Sequence, residues 1–224
     1  DGKDGEVIAN EGDLVNIPTG IFRAFKNIGN SYGMLMAVLG GDDAGGGVTW
    51  APEVINNAKE YGLILGENGL LYDTKKGESL PSHVNPMPLL SEDELKDFPI
   101  VTTEEFQEIF FVSAADLFES SKKGSVNVIG KNGILKDRPG FEVDFITNNS
   151  FISEFDSQDQ YQVNMISEGN WLLEYEGGSS ELSEGDTCLL VPNLAYRIVP
   201  SDLNNASLFR VTKTDDVPGP TWRI

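Results

Sequence analysis

Histidine and cysteine are almost absent from this sequence, which has one of each among 224 residues. A single histidine cannot supply a metal site built from several imidazoles. That histidine, His83, lies in the polar stretch Pro-Ser-His-Val-Asn-Pro and is expected in a solvent-facing loop, so no Ser/His/Asp or Cys/His nucleophilic arrangement is expected either. The one cysteine, Cys188, excludes an intrachain disulfide, is compatible with a reducing compartment, and lies in an apolar run typical of a buried structural thiol.

Positive charge and long apolar runs are also scarce. Sixteen lysines and arginines stand against 36 aspartates and glutamates, which gives a net charge of −20. Such a surface repels nucleic acid and anionic membranes, and no basic cluster offsets it. No apolar run approaches the ~18 residues that cross a bilayer. We therefore expect no nucleic-acid or membrane partner, interpret the acidity as a solubility feature, and expect a cytoplasmic location.

The spacing of turn residues predicts that both ends of the chain are built from short strands. Apolar runs bounded by glycine, proline and asparagine predict strands at residues 14–17, 21–25 and 33–39. Strand character returns near Val126 and continues to the end of the sequence. Many short antiparallel strands separated by turns indicate an all-β sandwich or barrel.

Between these ends the pattern is helical. Pro52 suits the first turn of a helix, which Gly62 is expected to end. Ser91 followed by Glu94 resembles a capping box, and Thr103 begins a further helical pattern. This part of the sequence therefore predicts a short helical connection.

An internal repeat relates the two strand-rich ends. Pro18 and Pro192 are each followed five positions later by an arginine, Arg23 and Arg197. A pair of aspartates and a Thr-Trp pair follow in each copy, at Asp42, Asp43, Thr49 and Trp50 in the first and at Asp215, Asp216, Thr221 and Trp222 in the second. If the second copy begins near Val126, 66 residues precede its proline, whereas 17 precede Pro18. A repeat of this kind indicates duplicated units, and we expect the first unit to be incomplete in this chain.

The first copy resembles the second sequence motif of the cupin family. It reads Gly12-x5-Pro18-x-Gly20-x2-Arg23-x3-Asn27. Every marked position agrees with the family motif except that of Arg23, where cupins normally have a metal-binding histidine. The departure puts the usual fourth metal ligand in doubt.

The second copy resembles the same motif more loosely. It keeps Gly185, Pro192 and Arg197, with one extra residue between the first two and Leu194 in place of a glycine. The resemblance implies an all-β bicupin with two cupin-like jelly-roll barrels (double-stranded β-helices) and a short helical linker. The implied domains are residues 1–51 as the C-terminal part of the first barrel, 52–125 as the connection and 126–224 as the second barrel.

The resemblance also places the usual ligand positions in the second barrel. Cupins commonly bind iron, manganese, nickel or zinc through a His-x-His-x3-4-Glu run and a later histidine. Counting seven residues back from Gly169 places Gln162 at the glutamate position, with Gln158 and Asp156 at the two histidine positions and Arg197 at the last. Because a guanidinium cannot ligate a metal and repels one, we expect no metal in this barrel.

The two equivalent arginines have two open interpretations. Facing into a barrel, Arg23 and Arg197 could each hold a carboxylate or phosphate of a ligand through paired N–H donors. Alternatively, each is a structural brace satisfied by a carboxylate such as Asp156 or by strand-end carbonyls. The candidate ligand-binding residues are therefore Arg23, Arg197, Asp156, Gln158 and Gln162.

Two functional classes follow from the resemblance. The first is a bicupin-type small-molecule-binding protein that holds no cofactor in this chain because its metal site is degenerate. The alternative is a non-haem dioxygenase similar to the gentisate-, quercetin- or hydroquinone-cleaving bicupins, with iron or manganese bound in the complete assembly. Its metal ligands would lie in an absent N-terminal half or a partner subunit. Because a half barrel exposes unpaired edges, we expect the missing strands on a second chain, in a homo- or hetero-oligomer.

Overall fold

Strands dominate the part of the chain that the computed structural model describes, residues 5–17, 20–39, 50–135, 140–201 and 205–214. The strands in these ranges are β1 (Leu14–Val15), β2 (Leu63–Leu65), β3 (Leu71–Asp73), β4 (Phe111–Val112), β5 (Val126–Ile129), β6 (Phe141–Thr147), β7 (Gln162–Glu168), β8 (Trp171–Tyr175), β9 (Gly178–Leu182), β10 (Thr187–Leu190), β11 (Tyr196–Pro200) and β12 (Ser207–Lys213). The α-helices are α1 (Pro52–Glu60), α2 (Glu92–Leu95), α3 (Thr103–Ile109) and α4 (Ala114–Ser121). The predicted all-β class is therefore confirmed, with a few short helices.

The chain divides into two compact units. One combines Asp1–Thr19 with Ile100–Ile224, and the other is Gly20–Pro99. These limits do not coincide with the domain limits that the resemblance implies at residues 51 and 125, which stay a prediction. Of the paired motif residues, Pro18, Asp42, Asp43, Thr49, Asp215, Asp216, Thr221 and Trp222 lie outside the described residues.

The smaller unit contains the helical elements that local signals predict. Pro52 begins α1, and Gly62 follows its end with φ +81°, a conformation that glycine adopts without strain. A hairpin of β2 and β3 comes next. Ser91 caps α2 through a capping box, in which its side chain accepts from the Glu94 amide and Glu94 accepts from the Ser91 amide. The predicted caps are thus confirmed.

The strands predicted at residues 21–25 and 33–39 are wrong. Residues 20–39 contain no strand, and several of their large apolar side chains are exposed. A strand requires a neighbour to accept its backbone hydrogen bonds, and none pairs with this segment within the described residues. Apolar strand propensity alone therefore does not produce strands here.

The larger unit begins with a short pairing that the sequence does not reveal. The strand predicted at residues 14–17 forms as β1 and pairs antiparallel with β4, with Leu14 opposite Val112 and Val15 opposite Phe111. Helix α3 has a second capping box, formed by Thr102 and Glu105, and α4 follows β4 directly. Residues from the predicted first barrel and the predicted connection thus share one small sheet.

Two antiparallel sheets build the main body of this unit. The five-stranded sheet has the order β10-β7-β12-β6-β5, and the three-stranded sheet has the order β11-β8-β9. From β9 onward the chain alternates between the two sheets, as in a jelly roll. One apolar core, which includes Ile166, Trp171 and Leu208, lies between the sheets. A second core, which includes Leu117 of α4 and Phe145 of β6, covers the opposite face of the five-stranded sheet.

No helix in the described ranges combines the length and the apolar character that spanning a bilayer requires.

Candidate functional site

Polar side chains occupy one part of the space between the two sheets. On β7, Gln162 and Asn164 are buried on the same face as Ile166, because alternate strand residues share a face. Asn164 is fully buried, at 0% exposure. Arg210 and Thr212 of β12 are the register partners of Asn164 and Gln162. The strand pairing therefore places amide, hydroxyl and guanidinium groups side by side in the interior.

These groups form a connected network with Tyr196 of β11. The Tyr196 hydroxyl donates to Gln162 Oε1 at 2.5 Å, and Gln162 Nε2 donates to Thr212 Oγ1 at 3.1 Å. Arg210 Nε donates to Asn164 Oδ1 at 2.9 Å, and its guanidinium carbon lies 5.8 Å from the centre of the Tyr196 ring. We call Gln162, Asn164, Tyr196, Arg210 and Thr212 the inter-sheet polar cluster.

Burial raises the pKa of two ionisable groups in this region. It raises the pKa of the Tyr196 hydroxyl, and the nearby positive charge of Arg210 opposes that rise. Burial likewise raises the pKa of the Cys188 thiol, which receives a weak hydrogen bond from Asn164 Nδ2 at 3.8 Å. Cys188 is half-buried against the inter-sheet core, as its apolar run predicts in part. Tyr196 therefore stays protonated and donates its hydrogen bond.

Of the four ligand positions inferred in the second barrel, only Gln162 lies between the sheets. Asp156 and Gln158 are exposed, and Gln158 Nε2 donates to Asp156 Oδ2 at 2.6 Å. Asp156 reaches the sheet only through its backbone, which exchanges two hydrogen bonds of 2.9 Å with Tyr196. The structure thus does not bring these side chains together with Gln162.

Arg197 does not face the interior. On β11, Tyr196 and Ile198 are buried between the sheets, so Arg197 between them lies on the opposite face. The one-residue error has a definite origin. Arg23 is eleven positions after Gly12, and eleven positions after Gly185 is Tyr196. Alignment on Pro192, which follows the extra residue, selects Arg197 instead.

Arg197 is engaged on the outer face of the three-stranded sheet. Its Nε donates to Oε2 of Glu174, its direct register partner on β8, and Nη1 donates to the Ser153 carbonyl at 3.4 Å. The guanidinium carbon lies 5.2 Å from the centre of the Phe155 ring. The hydrogen bond from Arg197 lowers the pKa of the Glu174 carboxyl. If Arg197 is a structural brace, its carboxylate partner is Glu174 instead of Asp156. Contact between Arg197 and a ligand stays a prediction.

The remaining candidates lie apart from the inter-sheet polar cluster. Arg23 is exposed in the strand-free segment 20–39, and its ligand contact stays a prediction. His83 is exposed in a turn, as predicted. Trp171 is a core residue of the inter-sheet space, and Trp50 is 43% exposed.

The inter-sheet polar cluster does not fit a metal ion. The amide oxygens of Gln162 and Asn164 already accept hydrogen bonds from Tyr196 and Arg210. A guanidinium beside them repels a cation. In the described part of the chain, no three His, Cys, Asp or Glu residues are grouped as a metal site requires. The donor set suits neutral or anionic partners.

A cavity of about 180 Å³ adjoins Arg210. Asp144 and Ile146 of β6, Arg210 of β12 and Ile198 of β11 contribute to its wall, so both sheets border it. Ser125, Ser150, Phe151 and Ile152 complete the lining. The cavity combines one cationic, one anionic and several apolar side chains, a composition suited to a small polar ligand.

Solved structures similar to this chain include proteins with cupin domains. A cupin-2 domain protein from Shewanella frigidimarina is 8% identical, and the match covers 46% of this chain and 93% of that one at a TM-score of 0.36. A cupin 2 domain-containing protein from Halorhodospira halophila is 15% identical over 44% of this chain and 71% of that one, with a TM-score of 0.36. The DMSP lyase DddQ from Ruegeria pomeroyi is 15% identical over 44% of this chain and 51% of that one, with a TM-score of 0.35.

No protein-family profile and no curated protein matches the sequence. At these sequence identities, the similarity to solved structures concerns the fold alone.

Sequence reasoning missed Asn164, Tyr196 and Arg210. For Arg210 a signal existed, because Leu208, Arg210 and Thr212 alternate along one strand face and Leu208 is apolar. A charged residue on the inward face of a predicted strand is unusual and marks a candidate site. The pairing that places Arg210 of β12 opposite Asn164 of β7 cannot be read from the sequence around either residue, because the two are far apart along the chain.

Proposed function

We propose that this chain is a bicupin-type small-molecule-binding protein that holds its ligand between the two sheets of the larger unit, without a metal ion. The observation that supports this most directly is the cavity of about 180 Å³ beside Arg210 of the inter-sheet polar cluster. Polar side chains between sheets are retained at a cost in desolvation, and a ligand-binding role explains why one guanidinium borders an interior cavity.

The alternative, a ring-cleaving dioxygenase, would need iron or manganese. Gln162 and Asn164 are poor ligands because their oxygens are already hydrogen-bonded, and Arg210 repels a cation. The ligands for such a metal would have to come from outside the described residues. The inter-sheet polar cluster thus favours binding over oxygenase chemistry for this part of the protein.

Filling the cavity is expected to abolish ligand binding. A library of small polar metabolites is screened for compounds that raise the melting temperature of the intact protein. Ile198→Phe places a larger side chain into the cavity wall, so the ligand-induced rise should disappear in this variant. Val199→Phe is the matched control, because Val199 follows Ile198 on β11 and takes the opposite face.

Circular dichroism establishes that both variants keep their β structure. The binding proposal fails if no compound stabilises the protein or if both variants respond as the wild type does. Elemental analysis of the intact protein tests the proposal that no metal ion is bound. Stoichiometric iron or manganese, together with cleavage of a hydroxylated aromatic substrate, would support the oxygenase instead.

We also propose that strands from polypeptide outside these 224 residues cover segment 20–39. In the second copy of the repeat, β11 pairs with β8, and β12 pairs with β6 and β7. Segment 20–39 aligns with β11 and β12 but has no strand partner among the described residues. Its side chains include Tyr32 at 91% exposure and Leu39 at 67%. By analogy with the second copy of the repeat, the strands that cover segment 20–39 would be the first-copy equivalents of β6, β7 and β8.

Mass spectrometry of the protein purified from its natural source tests this proposal. We expect each 24.4 kDa copy of this sequence to be accompanied by further polypeptide, either bound or covalently continuous. Native and denaturing spectra separate those two cases. A preparation that contains only copies of the 24.4 kDa chain, as monomers or as oligomers, would overturn the proposal.

A further inference from the structure

Arg210 lies between the sheets with most of its donors uncommitted. It is on the inward face of β12, between Leu208, which is fully buried, and Thr212, which is partly buried. A guanidinium carries five N–H donors, and Nε is the one that bonds, to Asn164, among the described residues. Within the same part of the chain, no carboxylate lies within 4.0 Å of Arg210. Its two terminal nitrogens are therefore available to an anion.

The position of Arg210 is set by its neighbours. Asn164 Oδ1 accepts a hydrogen bond from Arg210 Nε, and the guanidinium carbon lies over the Tyr196 ring, 5.8 Å from its centre. An arginine restrained in this way loses less side-chain entropy when it binds a carboxylate through two parallel hydrogen bonds. The inter-sheet polar cluster thus orients a guanidinium that can donate two parallel hydrogen bonds into the cavity.

Asp144 supplies an opposite charge in the same cavity. It is the register partner of Arg210 on β6, and Asn127 Nδ2 donates to its Oδ1 at 2.9 Å. Asp144 and Arg210 both border the cavity without forming an ion pair with each other. A ligand between them meets a cation on one strand and an anion on the next.

The cavity limits the size of this ligand. Its volume of about 180 Å³ is below the roughly 300 Å³ at which drug-sized sites begin. Ser125 offers a hydroxyl, while Ile146 and Ile198 offer apolar contact. The Ser150 hydroxyl is already hydrogen-bonded to Thr147. These dimensions suit a compound of a few heavy atoms.

We propose that the inter-sheet site binds a small carboxylate that also carries an ammonium or hydroxyl group. Arg210 receives the carboxylate, and Asp144 accepts from the second group. This assignment rests on the proposed function and specifies the ligand class for the same cavity. Because the protein carries a net charge of −20, it repels free anions at long range, so recognition depends on these contacts.

NMR titration with paired probes tests the ligand class. Glycine and glycolate carry both groups, acetate carries the carboxylate alone, and glycinamide and glycolamide lack the carboxylate. We expect glycine and glycolate to shift the backbone amide signals of β6 and β12 and to bind more tightly than acetate. The two amides should bind at least about tenfold more weakly, since a hydrogen bond to a charged group is lost.

Variants of the full chain assign the contacts. Arg210→Gln should weaken glycine and glycolate binding about tenfold or more, and Arg210→Lys, which keeps the charge, should recover part of it. Asp144→Asn should reduce the advantage of glycine over acetate. Arg197→Gln tests the competing assignment, in which the arginine on the outer face of the neighbouring sheet contacts the ligand. Lys123→Gln, which removes an exposed cation of the same unit, is the control and should leave the affinities unchanged.

The outcomes separate this inference from the proposed function. If the amides bind as well as the acids, or if Arg197→Gln instead of Arg210→Gln weakens binding, the ligand class or its assignment is wrong. If no carboxylate binds but another compound stabilises the protein in an Ile198-dependent manner, the inference fails and the proposed function stands. Absence of any Ile198-dependent ligand overturns both.

Discussion

Replacing Trp171 with alanine is expected to lower the free energy of unfolding by about 3–5 kcal/mol. Trp171 is fully buried at 0% exposure and belongs to the core between the two sheets. It begins β8, and its indole Nε1 donates to the Glu168 carbonyl at 3.3 Å. Alanine would remove that hydrogen bond and leave a large void, because strands on both sides limit how far the core can collapse.

Urea denaturation followed by circular dichroism measures this loss, since the β signal does not depend on the mutated fluorophore. Trp50→Ala is the matched control. Trp50 is 43% exposed and belongs to the smaller unit, so its removal should cost less than about 1 kcal/mol. Equal losses in the two variants would show that Trp171 has no special place in the core.

Replacing Asn164 with alanine is expected both to destabilise the larger unit by about 2–3 kcal/mol and to weaken carboxylate binding. Asn164 is fully buried, and its Oδ1 is the acceptor for Arg210 Nε. Without it, the Arg210 guanidinium loses a charge-assisted hydrogen bond and the restraint on its orientation. Asn164 is thus a positioning residue, which acts on the ligand through Arg210.

A double-mutant cycle separates this role from simple loss of packing. If the cost of Asn164→Ala comes from the unpaired guanidinium, the double variant with Arg210→Gln should lose less stability than the sum of the single variants, by about 1 kcal/mol or more. Asn170→Ala, which alters an exposed asparagine of the β7–β8 turn, is the control and should change neither stability nor binding. Additive losses would contradict the positioning role.

The amide oxygens of the inter-sheet polar cluster are already committed. Gln162 accepts from Tyr196 and Asn164 accepts from Arg210, where a metal-binding protein would need free oxygen or nitrogen lone pairs. Arg210 adds a positive charge at the same place. We propose that an interior site of this chemistry binds an anion, and the variants of Arg210 and Asn164 test that binding.

Local signals in the sequence predicted much of the fold. The capping box at Ser91, the proline at the start of α1 and the turn glycines act over four residues or fewer, so their effect can be inferred from adjacent residues in the sequence. The capping box of Thr102 and Glu105 was not predicted. Strand character from Val126 onward was equally clear, because alternation of apolar residues follows the pleat.

Strand register was the main reason why the sequence did not predict which side chains face the site. A shift of one residue along a strand moves a side chain to the opposite face. The extra residue between Gly185 and Pro192 produced this shift, so the alignment pointed to Arg197 on the outer face and missed Tyr196 on the inner one. The count of seven residues back from Gly169 selected Gln162, whose side chain lies between the sheets, and its role in binding stays a prediction.

By itself, the sequence determined the all-β class, the caps of the short helices and the scarcity of histidine and cysteine, since each depends on composition or on short-range patterns. Only the tertiary structure decided which polar residues meet. Asn164, Tyr196 and Arg210 belong to three strands of two sheets. The bond between Arg210 and Asn164 follows from the pairing of β12 with β7, and the bond between Tyr196 and Gln162 follows from the packing of one sheet on the other. The same dependence explains segment 20–39, where apolar sequence formed no strand because no partner strand is paired with it among the described residues.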